Sequence, residues 1–167
     1  MKRIIAVIFF LLMFFPSSAG ADALIVPGVR INGAFMAQPL EVVVKAWGEP
    51  DSKESRGDDV LVLMNKRYNS MFYVQEGRLV GVETFSDRFK TGSGLKVGIS
   101  RQEVVSILGA PIDQENYSFT CVDGVTRDLY SFVYKGMGIG FSFHPDTHRV
   151  VSIFVFAVGK YNAIKHQ

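Results

Sequence analysis

Residues 97–111 read Val97-Gly98-Ile99-Ser100-Arg101-Gln102-Glu103-Val104-Val105-Ser106-Ile107-Leu108-Gly109-Ala110-Pro111. Ser100 and Glu103 stand at capping-box spacing, where hydroxyl and carboxylate each satisfy a backbone N–H that the first helical turn leaves without a partner. Val104, Ile107 and Leu108 recur at helical spacing and define one apolar face. Gly109 suits the left-handed conformation that closes a helix, and Pro111 blocks its continuation. Each of these residues has a local structural task, and none of the tasks is catalytic.

The same pattern stands earlier, as Leu40-Glu41-Val42-Val43-Val44-Lys45-Ala46-Trp47-Gly48-Glu49-Pro50. Pro39 takes the place of Ser100, and proline is well suited to a helix's first turn. A polar stretch, residues 51–58, follows this helix. Three apolar runs come next: Val60 to Met64, Ser70 to Val74 and Leu79 to Phe85. Glu76-Gly77 is a hairpin turn between the last two. After Pro111 a largely polar stretch, 112–126, precedes Leu129 to Tyr134, Ile139 to Phe143 and Val150 to Phe156. Lys135-Gly136 and His144 to His148 supply the turns. The pattern predicts an α+β fold of two tandem repeats. Each repeat is a short helical segment followed by a three-stranded antiparallel meander, with the helices on one sheet face. The units are 24–86 and 95–158. A polar, Gly-containing linker, 87–94, joins them, and 159–167 is a flexible tail.

Segment 1–23 reads as a signal peptide. Lys2 and Arg3 precede the uninterrupted apolar run Ile4 to Phe15. Pro16, Ser17 and Ser18 break it, and Ala19-Gly20-Ala21 and Ala21-Asp22-Ala23 both fit the small-x-small cleavage rule. The run is short against the ~20 residues of a spanning helix. Cleavage and export to the periplasm are therefore expected, with an uncleaved inner-membrane anchor as the other reading. Removing Lys2, Arg3 and Asp22 from the 18 basic and 16 acidic residues leaves 16 and 15, so the mature chain is nearly neutral. With no basic stripe, a nucleic-acid partner is not expected. The single cysteine, Cys121, provides no disulfide framework and reads as a small buried hydrophobe rather than a nucleophile.

Val97-Gly98-Ile99-Ser100, Glu103-Val104, Leu108-Gly109 and Pro111 resemble the SmpA/OmlA (BamE-like) family of outer-membrane assembly lipoproteins. Two such units in tandem resemble the fold of β-lactamase inhibitor protein. The resemblance implies a helix-plus-sheet fold of binding character in the cell envelope. The family's lipidated N-terminal cysteine is missing here, which speaks against a permanent membrane tether.

No catalytic constellation emerges, and neither enzyme activity, a cofactor nor a metal is expected. His144-Pro145-Asp146-Thr147-His148 holds two metal-ligand types but reads better as a hairpin turn, and the remaining histidine, His166, lies in the tail. Gly136-Met137-Gly138-Ile139-Gly140 leads into a strand, where a phosphate loop would open a helix. Gly92-Ser93-Gly94 lacks the spacing of a nucleophile elbow. Asp58-Asp59 reads as solvated charge in a turn.

A sheet with helices on one face leaves the other face open. Alternation groups Val150, Ser152, Phe154 and Phe156 against Val151, Ile153 and Val155. It sets Gly140, Ser142 and His144 opposite Ile139, Phe141 and Phe143. With the aliphatic trio on the helices, Phe154 and Phe156 face outward beside Ser142 and His144, and Met71 and Tyr73 share a face in the first unit. These six residues form the candidate protein-binding site. Burial between the units or in a homodimer is the other reading of the same aromatics. The expected function is a periplasmic module binding an envelope protein. The alternatives are a lipid or small-ligand binding protein of the envelope using the same face, with an outer-membrane or lipid contact, or an envelope enzyme whose site local motifs do not reveal.

Overall fold

The computed structural model describes residues 23–56, 59–120 and 126–164. Residues 1–22 of the expected signal peptide, Asp58, Cys121 and His166 lie outside the described residues. Strands β1 (Leu24–Val26), β2 (Arg30–Ile31) and β3 (Ala34–Phe35) precede helix α1 (Leu40–Trp47). Then come β4 (Ser52–Arg56), β5 (Val60–Asn65), β6 (Ser70–Gln75), β7 (Arg78–Thr84) and β8 (Lys90–Thr91). Helix α2 (Arg101–Leu108) leads into β9 (Asp113–Thr120), β10 (Thr126–Tyr134), β11 (Ile139–Phe143) and β12 (Val150–Phe156), and α3 (Tyr161–Ile164) ends the described chain.

Two sheets result. The large one has the order β4-β5-β6-β7-β12-β11-β10-β9, and the small one the order β3-β2-β1-β8. All neighbours in the large sheet are antiparallel, including β7 and β12, where Val82 pairs with Val155 and Glu83 with Phe154. In the small sheet β1 and β8 run parallel, with Ile25 opposite Thr91.

These observations correct the expected fold class. The described residues are mostly β, with twelve strands in two sheets and three α-helices, and they do not form two helix-plus-three-strand repeats. Of the five strands between α1 and α2, β4 to β7 join the large sheet and β8 the small one, and the four strands after α2 complete the large sheet. The extra strands, β4 and β9, lie in the stretches 51–58 and 112–126. Their sequences, Ser-Lys-Glu-Ser-Arg and Asp-Gln-Glu-Asn-Tyr-Ser-Phe-Thr, carry little apolar character. A strand at a sheet edge buries little side-chain surface, so it need not show apolar alternation. The 87–94 segment contains β8, and its Phe89 is buried, stacked on Trp47 at 5.6 Å between centroids.

The main core lies between one face of the large sheet and the layer formed by α1, α2 and the small sheet. Ile25, Ile31, Val43, Trp47, Phe72, Phe89, Val104, Phe132, Phe141 and Phe143 meet there. Helix α2 starts on the capping box: the Ser100 Oγ accepts from the Glu103 N–H at 3.2 Å, and the Ser100 N–H donates to Glu103 Oε2 at 2.8 Å. Helix α1 has no side-chain cap at Pro39. Both end on glycines at positive φ, Gly48 and Gly109. No helix of the described residues is long and apolar enough to cross a membrane.

The opposite sheet face is also covered. Val60, Val62, Met71, Tyr73, Val80, Val133, Phe154 and Phe156 form a second cluster, closed by Tyr161 and Ile164 of α3. The segment expected to fray thus seats a helical turn on the sheet. An added Cβ at Gly81 would clash with Ile164, so this glycine is the notch that receives the isoleucine.

Candidate functional site

The two ends of the large sheet differ in a way that matters for binding. β4 closes one end and is short, with Lys53 and Glu54 exposed along it. Charge and shortness are the usual protection of a sheet edge against strand pairing. β9 closes the other end with eight residues and contains no Lys, Arg or Pro. Its inner side is fully registered on β10, from Asp113 opposite Val133 to Thr120 opposite Thr126. Among the described residues no strand pairs with its outer side.

Side chains on β9 divide by face. Gln114, Asn116 and Ser118 are exposed on the helix side, while Asp113, Glu115 and Tyr117 are half-buried on the other. The acids on that second face are tied inward. Asp113 pairs with the Lys135 ammonium at 3.2 Å, and Glu115 accepts from the Tyr161 hydroxyl at 2.7 Å. Tyr117 donates to Ser142 Oγ at 2.6 Å. Burial, then the neighbouring Glu83, pushes the Tyr117 phenol well above its ordinary pKa. Burial and the Glu115 hydrogen bond do the same to Tyr161.

On the helix side, a shallow trough of about 350 Å³ opens beside β9. Asn116, Ser118 and Asp128 line it, with Tyr130 and Pro145. Ser118 Oγ donates to Asp128 Oδ1 at 2.7 Å. Tyr130 is held by its ring against Phe143, stacked at 5.2 Å, and by its hydroxyl against His148 Nδ1 at 2.9 Å. The trough is lined mostly by apolar surface, with Asn116, Ser118 and Asp128 as its polar groups and Tyr130 as a fixed aromatic side.

The sequence-predicted site residues sit elsewhere. Tyr73, Met71, Ser142, Phe154 and Phe156 are all within the second cluster or its polar neighbours, each 3% exposed or less. Their expected outward exposure is not found, because α3 covers the face. Phe154 lies across Gly140 and stacks near Phe156 and Tyr161 at 6.1 and 6.3 Å. Tyr73 donates to Glu83 Oε2 at 2.9 Å, and Ser152 donates to Glu83 Oε1 at 2.6 Å. Glu83, 1% exposed, is thus a buried carboxylate satisfied by hydroxyls from β6 and β12. Burial and Glu83 together hold the Tyr73 phenol well above its ordinary pKa. Ser142, 3.2 Å from Ser131 and bonded to Tyr117, continues the polar track towards β9.

His144 is half-buried at the β11–β12 turn, where its Nδ1 accepts the Asp146 N–H at 3.3 Å. The His148 N–H closes the turn on the His144 carbonyl at 2.9 Å. Among the described residues no group of three or more His, Cys, Asp and Glu gathers as a metal site. Sequence reasoning passed over Asn116, Ser118 and Tyr130. The faint signal was the alternation of Gln114, Asn116 and Ser118 with Asp113, Glu115 and Tyr117, a period of two without apolar residues.

No family model and no curated protein matches this chain. Solved structures of similar fold include the uncharacterized protein yfeY from Escherichia coli, at TM-score 0.54 and 12% identity, over 78% of this chain and 98% of that one. An extracellular protein containing a SCP domain from Bacillus anthracis aligns at TM-score 0.51 and 13% identity, over 79% of this chain and 47% of that one. This chain spans about half the length of that protein. A DUF4309 family protein, YjgB, from Bacillus subtilis aligns at TM-score 0.47 and 15% identity, over 76% of this chain and 84% of that one. For yfeY and the SCP-domain protein, at these identities, the likeness is one of fold. The findings overturn the resemblance to the SmpA/OmlA (BamE-like) family and to tandem β-lactamase inhibitor protein units, and with it the link to outer-membrane assembly. The residues that carried it, Ser100, Glu103, Gly109 and Pro111, specify the two ends of a helix, a task that unrelated folds share.

Proposed function

We propose that this chain is an exported, non-enzymatic binding module whose protein partner adds an extended segment to the outer side of β9. The observation that carries this reading is the contrast between the sheet's two ends: β4 is five residues long with Lys53 and Glu54 exposed, whereas β9 is eight residues long without Lys, Arg or Pro, and its two acids, Asp113 and Glu115, are half-buried. Strand addition draws affinity from main-chain hydrogen bonds and specificity from pockets for alternate side chains. The trough lined by Asn116, Ser118 and Tyr130 supplies such a pocket. The positive, apolar and small-residue sequence of segment 1–23 supports export to the periplasm, where the partner is an envelope protein. A lipid partner has less support, since the apolar face it would use is filled by Tyr161 and Ile164.

A photoreactive residue placed at Gln114 on β9, and in a second protein at Lys53 on β4, tests the reading in the native envelope. Crosslinking to a protein from Gln114 but not from Lys53 is expected. Equal labelling from both positions, or none from Gln114, would overturn it.

A further inference from the structure

We propose that the end of the molecule formed by loops 27–29, 135–138 and 157–160 seats on an anionic lipid bilayer, giving the module a peripheral membrane contact. The contact does not depend on the β9 edge, and it uses the sheet's end rather than the face filled by Tyr161 and Ile164. The three loops are locked together through glycine. The Gly138 carbonyl accepts from the Gly28 N–H at 3.1 Å and from the Phe156 N–H at 3.0 Å. One oxygen therefore ties the β1–β2 loop and the end of β12 to the β10–β11 loop. Both glycines sit at positive φ, 67° and 69°. A Cβ on Gly138 would come within 2.5 Å of Gly28 Cα, which leaves room for no other residue. A Cβ on Gly28 would lie 3.0 Å from Met137 O and 3.4 Å from Val158 Cγ2, so the loop tips adjoin.

Each loop carries one exposed apolar side chain: Val29 at 46%, Met137 at 43% and Val158 at 62%. One such side chain alone is ordinary, but three from distant parts of the chain on one rigid platform form a patch. Each tip also has a basic neighbour, Arg30, Lys135 and Lys160, and residues 27–30, 135–138 and 157–160 include no Asp or Glu. Lys135 pairs with Asp113 at 3.2 Å and lies over the Tyr161 ring at 5.2 Å. Among the described residues Arg30 and Lys160 meet no carboxylate. Arg30 lies over the Phe35 ring at 5.0 Å, and Lys160 donates to Gln75 Oε1 at 3.3 Å. The adjoining β6–β7 hairpin adds Glu76 and Arg78, one charge of each sign. Apolar tips flanked by positive charge match the two layers of an anionic bilayer, phosphate headgroups outside and acyl chains beneath. A protein would need an acidic rim around a pocket shaped for three separate tips, whereas a bilayer deforms around them. Three half-exposed side chains bury little area, so the attachment is reversible and weakens as salt screens the headgroups.

Flotation of the purified exported protein tests this, with vesicles of phosphatidylglycerol mixed with phosphatidylcholine and of phosphatidylcholine alone. The variants are the Met137→Asp/Val158→Asp pair, Lys160→Glu, and Lys53→Glu on the distant edge strand β4 as a control of equal charge change. All four positions are exposed, so the circular dichroism spectrum is expected to be unchanged. Wild type is expected to float with the mixed vesicles at low salt, to leave them as salt rises, and not to float with the neutral ones. The aspartate pair abolishes flotation. Lys160→Glu lowers the affinity on the order of tenfold, and Lys53→Glu leaves it unchanged. Wild type that ignores the mixed vesicles at low salt overturns the inference, as does flotation that survives the aspartate pair. A Lys53→Glu loss equal to that of Lys160→Glu overturns it too, since general charge attraction then suffices. Flotation indifferent to salt, or equal on neutral vesicles, removes the anionic bilayer without recourse to any variant. A photoreactive residue at Val158 that labels a protein and no lipid in the native envelope would assign the patch to a protein partner instead.

Discussion

Glu83 is the residue on which the interior of the second face depends. A carboxylate 1% exposed is stable only when its oxygens are occupied, and Tyr73 and Ser152 occupy them at 2.9 and 2.6 Å. Glu83 sits beside the β7–β12 junction, so these two bonds tie β6 and β12 to β7. Tyr73→Phe keeps the ring in its cluster and removes one donor to the carboxylate. The expected cost is about 1–3 kcal/mol in urea unfolding at neutral pH, the range for a buried polar group that loses a partner. A variant as stable as wild type would mean that Glu83 does not rely on this bond. Gly140 is decisive in a different way: a Cβ there would occupy the space of the Phe154 ring, which is itself packed by Phe156 and Tyr161. Alternation along β11 and β12 groups Phe154 with Gly140 and Ser142, but which neighbour fills the space above them is a matter of distant residues.

Helix α2 shows how far a local signal reaches. The capping box read from Ser100 and Glu103 is formed, and it holds the Glu103 carboxyl below its ordinary pKa, first through the Ser100 backbone N–H and then through its hydroxyl. A carboxylate with a depressed folded-state pKa contributes stability that is present above the unfolded value, roughly 4.3, and lost as pH falls through the depressed value. Ser100→Ala removes the N-cap side chain and is expected to cost about 0.5–2 kcal/mol at neutral pH, the range for losing a helix N-cap. Its difference from wild type should shrink on acidification below about pH 4, where wild type loses the charged half of the box. A difference that stays constant with pH in thermal unfolding would show that the carboxylate takes no part. The edge elements behave in the opposite manner. In sequence β4 and β9 resemble polar connections, because an edge strand is held by backbone bonds to one neighbour and its side chains need not be apolar. In sequence β8 is indistinguishable from a linker, because two residues, Lys90 and Thr91, carry no periodicity at all.

Across the whole molecule the sheet is sealed on both faces, by α1, α2 and the small sheet on one side and by α3 on the other. Sealing the second face leaves several phenols reluctant to ionise: Tyr73, Tyr117 and Tyr161 all have pKa values above their ordinary one, with burial as the first cause. A tyrosine whose folded-state pKa is raised contributes stability that is fully present below the unfolded value, about 10, and lost as pH rises from there towards the folded value. The fold is thus expected to lose stability on alkaline titration above about pH 10, each such group adding up to ~1.4 kcal/mol per pH unit. The slope of melting temperature against pH between about 9 and 11 should be shallower in Tyr73→Phe than in wild type. An unchanged slope would remove Tyr73 from the alkaline transition.

By itself the sequence determined what short-range chemistry determines. It placed the ends of α1 and α2, because caps, glycines and prolines act over three or four residues. It placed the six apolar runs that become β5, β6, β7, β10, β11 and β12, and the Glu76-Gly77 turn, where both residues adopt positive φ. The tertiary structure decided the rest. Joining β7 to β12 brings Glu83 next to Phe154 although they lie 71 positions apart in the chain, and no local period encodes such a pairing. Closure of the second face by Tyr161 and Ile164 turned Tyr73, Phe154 and Phe156 from a predicted surface into core. It also left β9, the least apolar strand of its half, as the outermost strand of the large sheet among the described residues, because a strand that buries little is the one the fold can leave outermost.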